Sequence, residues 1–428
     1  MTVIDLGELR SDAERDPPPP PRAVGRPLRV ALAGAAALLA LAGSAPVASP
    51  ASALVTGPPG TEAVAAGGRV YVAGPVSSGE GGTREVTAHA PPARAGGALR
   101  PLWRASVQIG AGPLQVWEHV GLVLVTGGDD RLLATVALDA ATGRQRWRLP
   151  GASAPTVGGG LLLFGYGTVD PLRGVDAASG RPRWSVAAHW SWTVRQRGVE
   201  IDRIVLLGRS GRIEVREAAS GAVLAARDTG RSPGVQTARV AGGLLLLATG
   251  GETGLDRVTA YGLDALDRRW ELDLPRTGDL PDCGDLLCVA TPEAGLAVFD
   301  PATRRPRWTN PRWTGVVAAR GGRLLVADIE DVTSSAASEV AVLDAATGRT
   351  VAALGSWRPV DQWDPDGPLF GTRPTREGGL IVAELDPARA TARWLDVLPD
   401  VTGRCRAVDR DLLCPVRNGA QGWWRLPR

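Results

Sequence analysis

The chain has 428 residues, is 44% hydrophobic and carries four cysteines, so it holds enough apolar material for a large core and is globular in composition rather than disordered. All 48 basic residues are arginine, against 45 acidic ones, for a net charge of +3. So even a balance supplies no field for neutralising phosphates, which excludes nucleic acid as a partner.

In chain order, residues 1 to 29 form a polar Pro/Arg-rich tail containing Asp16 to Arg22, "DPPPPPR", which is extended and cannot enter a core. Arg22, Arg26 and Arg29 precede an apolar run, "VALAGAAALLALAG" at 30 to 43, within a hydrophobic helix expected over 28 to 48. With arginine on one flank only, the orientation places the tail in the cytoplasm and everything after residue 50 outside. Two fates remain open: an uncleaved single-pass anchor in the cell membrane, which the long n-region favours, or a signal peptide cut at the small residues "ASA" of 51 to 53, giving a secreted protein. A linker over 49 to 60 then leads to a domain over 61 to 428.

That domain is repetitive. "VALDAATGRQRWRLP" (136 to 150) returns as "GVDAASGRPRWSV" (174 to 186), "AVFDPATRRPRW" (297 to 308) and "AVLDAATGRTV" (341 to 351). The units close on Trp103, Trp147, Trp184, Trp270, Trp308 and Trp394, and two more close without tryptophan, at "SGAVLAARD" (220 to 228) and "TGRTVAALG" (347 to 355). They recur about every forty residues, the period of propeller blades. Within a unit, aliphatic runs broken by Gly, Asp or Thr-Gly give four short strands and three turns. The fold class expected is therefore all-β, a β-propeller of four-stranded blades. Eight closing motifs predict eight blades, with seven or nine as alternatives, one blade being shared between the two ends of the chain.

The hairpin has a mechanical reading: Asp139 accepts from backbone NH groups two residues on, Gly143 supplies positive φ, and Trp147 packs against the neighbouring blade. A motif present in every blade serves folding, not catalysis.

The string "LDAATGRQRW" and its copies resemble the tryptophan-docking repeat of the pyrroloquinoline-quinone (PQQ) type β-propeller superfamily, over about 60 to 428. That resemblance implies one of two functions: a non-enzymatic exported propeller similar to the outer-membrane assembly lipoproteins, or a divergent PQQ-dependent dehydrogenase. Family enzymes clamp the quinone with a disulfide between adjacent cysteines and hold Ca²⁺ with Glu, Asn and Asp. This chain has no adjacent cysteines and only two asparagines, Asn310 and Asn418. No catalytic residue, cofactor or metal is therefore expected. The expected function is a membrane-tethered extracytoplasmic scaffold that binds a protein or cell-envelope ligand.

Cys283 with Cys288, and Cys405 with Cys414, each straddle a hairpin, and local disulfides in an oxidising compartment are expected. Their spacings do not suit zinc, and His89, His119 and His189 lie far from them in sequence. Asp361, Asp364 and Asp366, set between tryptophans, read first as a turn. Trp190 and Trp192 alternate on one strand and read as core.

Overall fold

The computed structural model describes residues 50 to 428 apart from 78–81, 129–132, 166–170, 188–190, 230–234, 252–253, 278, 292–293, 329–336, 363 and 365. The expected tail and hydrophobic helix, residues 1 to 48, lie outside the described residues, and so do His189 and Trp190. Among the described residues there is no helix, hence none long and apolar enough to cross a membrane.

The strands group into antiparallel meanders of four. Sheets one to seven span 62–108, 115–150, 152–186, 191–228, 235–277, 282–310 and 315–359. The strand Thr350–Pro359 ends sheet seven and then pairs through Arg358 and Pro359 with Phe370–Pro374, opening sheet eight, which runs to residue 398. Sheet nine takes Arg406–Val408, Asp411–Pro415 and Gln421–Arg425 and is completed by Ala51–Val55, with Ala51 opposite Arg425 and Val55 opposite Gln421. Neighbouring sheets also touch through parallel bridges: Thr156 of the first strand of sheet three pairs with Ile201 of the second strand of sheet four, and Asp361–Gln362 pairs with Arg406–Ala407.

One count falls on its alternative and one expectation needs correction. The described residues group into nine four-stranded sheets, one of the alternatives to eight, because the shared sheet has no repeat motif to be counted. Residues 51 to 55, expected in the linker or at a cleavage site, are instead the closing strand. Small residues such as Ala and Ser give almost no hydrophobic signal, yet they fit a crowded outer position in which Ala53 and Val55 are buried.

Nine hydrophobic clusters hold the ring, one between each pair of consecutive sheets and the last joining sheet nine to sheet one through Ala53, Val55, Leu413 and Trp423 on one side and Ala63, Ala65 and Val70 on the other. The strand Leu122–Gly127 shows how. All six of its residues are buried, and since side chains alternate along a strand, Val123 and Val125 join the cluster with sheet one while Leu122 and Leu124 join the cluster with sheet three. A strand buried on both faces reads in sequence as a continuous apolar run.

Candidate functional site

The recurrent hairpin carries an anchoring device whose parts lie in two sheets. In sheet two, Asp139 Oδ1 accepts from the Thr142 amide (3.0 Å) and hydroxyl (2.8 Å), while Oδ2 accepts from Arg146 Nη2 at 2.7 Å. Asp176 does the same with Ser179 and Arg183, and Asp300 with Thr303 and Arg307. These contacts stabilise the carboxylates, so their pKa values fall to about 2, with the Arg146 bond the largest cause at Asp139, the Ser179 bond at Asp176 and the Arg307 bond at Asp300.

The turn so fixed presents a backbone carbonyl to the preceding sheet, and the tryptophan there donates its indole N–H to it: Trp103 to Ala140 (2.9 Å), Trp147 to Ala177 (2.8 Å), Trp184 to Ala218 (3.1 Å), Trp270 to Pro301 (2.6 Å) and Trp308 to Ala345 (2.9 Å). Four of these rings lie directly on a glycine, at Gly143, Gly180, Gly221 and Gly348. Tryptophan N–H groups that are buried need such an acceptor, and the glycine lets the ring approach the backbone.

Five of the six repeat tryptophans dock in this way, and the sixth does not. Trp394, on the outer strand of sheet eight, is 60% exposed and bonds back to Asp396 O of its own strand. Its neighbour, sheet nine, takes its fourth strand from residues 51 to 55, so no hairpin joins its third and fourth strands and no carbonyl socket forms. At that seam a cleft of about 920 Å³ is lined by Glu384, Arg393, Arg410 and Arg425, with Arg389 at its side. Glu384 ties the seam together: it accepts from Arg410 Nη2 (2.9 Å) and Arg393 Nη2 (2.5 Å), and these partners, Arg410 foremost, hold its carboxyl below the usual range.

The remaining candidates have plain placements. Cys283 is bonded to Cys288 and Cys405 to Cys414, leaving no free thiol. Asp364 caps a turn through the Asp366 amide at 2.9 Å. Trp192 packs against Phe164 with ring centroids 5.0 Å apart. Burial lowers the pKa of both His89 and His119.

Residues 82–253, which hold three of these docked tryptophans, match the family model for the outer membrane protein assembly factor BamB. Over these residues the chain is similar to that PQQ-like repeat family. Similar solved structures include BamB from Moraxella catarrhalis, 15% identical over 85% of this chain and 93% of that one with a TM-score of 0.41. The computationally designed Ika8 protein is 12% identical, covering 76% and 99% with a TM-score of 0.48. A europium-containing methanol dehydrogenase is 12% identical, covering 78% and 83% with a TM-score of 0.40. No curated protein matches this sequence.

The asparagines and disulfides of this chain do not fit the quinone site that the sequence resemblance implies. Asn310 spends its side chain on Gly348 O and the Arg312 amide, and Asn418 caps the Ala420 amide. Both disulfides are hairpin staples rather than a clamp of adjacent cysteines. The undocked Trp394 was beyond sequence reasoning, because its local string "ARATARWLDV" carries the same tryptophan as the docked copies and the missing partner lies elsewhere in the chain.

Proposed function

We propose that this chain is a non-enzymatic, extracytoplasmic propeller, tethered to the membrane by residues 28 to 48, that acts as a protein-interaction scaffold with the sheet eight to sheet nine seam as its contact surface. The observation that carries this reading is the 60% exposure of Trp394, on the strand whose Arg393 lines a cleft of paired arginines and carboxylates, in a repeat whose other closing tryptophans are docked. Tryptophan and arginine dominate the energetics of protein interfaces, and an indole whose N–H has only a neighbouring carbonyl of its own strand is available to a partner. Two closed disulfides accord with an oxidising compartment.

The test is a photo-cross-linking residue at position 394 of the full chain in its native envelope, with the exposed Val120 position on sheet two as control. A discrete protein adduct from 394 and none from 120 is expected. Equal labelling at both positions, or none at either, overturns the assignment of the seam. Reduction of a dye by the chain reconstituted with quinone and Ca²⁺ in the presence of an alcohol or sugar would overturn the non-enzymatic reading.

A further inference from the structure

On the inner edge of the ring, far along each sheet from the outer strand that bears Trp394, the first strands of sheets one, two and nine enclose a cavity of about 260 Å³ with Asp361–Gln362. Its lining is mostly apolar and includes Val64, Leu114, Val116 and the half-buried residue Trp117. Four polar residues break that lining: Gln115, Asp361, Gln362 and Arg406. Gln362 has both amide atoms, Oε1 and Nε2, buried without a hydrogen-bond partner. Asp361 and Arg406 stand opposite each other in the parallel ladder, are exposed, and among the described residues neither takes part in an ion pair.

An orphaned buried donor or acceptor costs about 1–3 kcal/mol, and Gln362 leaves one of each in the same place. One group that answers both at once is another amide, which offers a carbonyl to Nε2 and an N–H to Oε1. A free guanidinium beside it takes a carboxylate, and a free carboxylate takes an ammonium. The volume is below the roughly 300–1,000 Å³ of pockets for drug-sized ligands, and the walls are aliphatic and aromatic. We propose that this cavity binds a small zwitterionic amide of dipeptide size, its peptide group on Gln362, its carboxylate on Arg406, its ammonium on Asp361 and its aliphatic side chains against Val64, Val116 and Trp117. The proposal rests on the cavity alone and is independent of the seam.

Titration calorimetry of the full chain with its disulfides intact tests it with alanyl-alanine as probe, alongside its N-acetyl and C-amide derivatives. Alanyl-alanine is expected to bind and each blocked derivative to lose at least about tenfold in affinity, since each leaves one charged group of the site unmatched. Gln362→Leu is expected to lose binding while its melting temperature holds or rises, because two unsatisfied buried atoms are removed. Should that variant fail to fold, Arg406→Gln and Asp361→Asn, at exposed positions, each carry the same expectation of weakened binding. No heat from alanyl-alanine at millimolar concentration, equal binding of the blocked derivatives, or unchanged binding by the variants overturns the proposal. Cross-linking at position 394 is unaffected by any of these results, so the two readings fail separately.

Discussion

A Cβ placed on Gly143 would stand 2.5 Å from Cε3 of Trp103, a residue of the preceding sheet. The glycine is therefore required twice over: its φ of 72° lies in the left-handed region, and the indole occupies the space a side chain would need. Gly143→Ala should cost about 2–4 kcal/mol, from backbone strain of about 1–2 kcal/mol plus overpacking of the docked ring. Denaturant unfolding reads this directly, and a loss under 1 kcal/mol would mean the ring yields freely.

Where the tryptophan is absent, the socket is filled from the other side. Ala225 occupies the tryptophan position of sheet four, and the glycine position facing it in sheet five is Leu266, with φ of 52° and full burial. Leu266→Gly should cost about 2–5 kcal/mol through lost burial and a cavity. Ala225→Trp should also destabilise, by about 1–3 kcal/mol of overpacking. The double variant should recover much of the loss, and a double-mutant cycle showing simple additivity would refute the exchange of volume between the two sheets.

Trp394 and Trp147 occupy equivalent places in the repeat and should behave oppositely. Trp147→Ala removes a buried ring, 8% exposed, and its bond to Ala177, at a cost of about 3–5 kcal/mol. Trp394→Ala should change stability by no more than about 0.5 kcal/mol, as read by unfolding of the two variants in parallel.

The hairpin aspartates set an acid limit. Asp139, Asp176 and Asp300 have pKa values depressed to about 2, against about 3.9 in an unfolded chain. A depressed pKa means the contribution is present above the unfolded value and is lost as pH falls through the folded one. Through these groups the melting temperature should therefore not vary with pH near neutrality and should decline between about pH 4 and pH 2. Asp139→Asn should lower stability at neutral pH and make that acid decline shallower.

A chain beginning at Leu54 would lose Ala51, Ser52 and Ala53, the partners of Arg425, Trp424 and Trp423, together with the bond from the Gly96 amide to Ser52 Oγ at 3.0 Å. It should melt lower than a chain beginning at residue 50, with faster amide exchange confined first to residues 421 to 425. Equal exchange in the two chains would show that sheet nine closes without its fourth strand. The same argument makes cleavage after Ala53 incompatible with a sound ring, and N-terminal sequencing of the protein purified from its native cells should not begin at Leu54.

Much of this was legible in the chain. The string from Asp139 to Trp147 specifies its own turn, because the carboxylate, the threonine and the glycine act on a backbone only a few bonds away, and its recurrence at a fixed period specifies a propeller. The pairing of Cys405 with Cys414 was legible for the same reason of short range. The orphaned Gln362 was not, since its want of a partner is a property of three other strands that happen to surround it.

The sequence by itself determined the repeat, the all-β class and the hairpin that builds each sheet, since these depend on alternation and turn chemistry within about ten residues. Only the tertiary structure decided which tryptophans are buried. Docking needs an acceptor from the next sheet about forty residues onward, and at sheet nine that acceptor is missing because the closing strand arrives from residues 51 to 55. Trp394 thus follows an aspartate at the same spacing as Trp147 does, Asp386 for the one and Asp139 for the other, and differs from its docked fellows in the one respect that a partner could use.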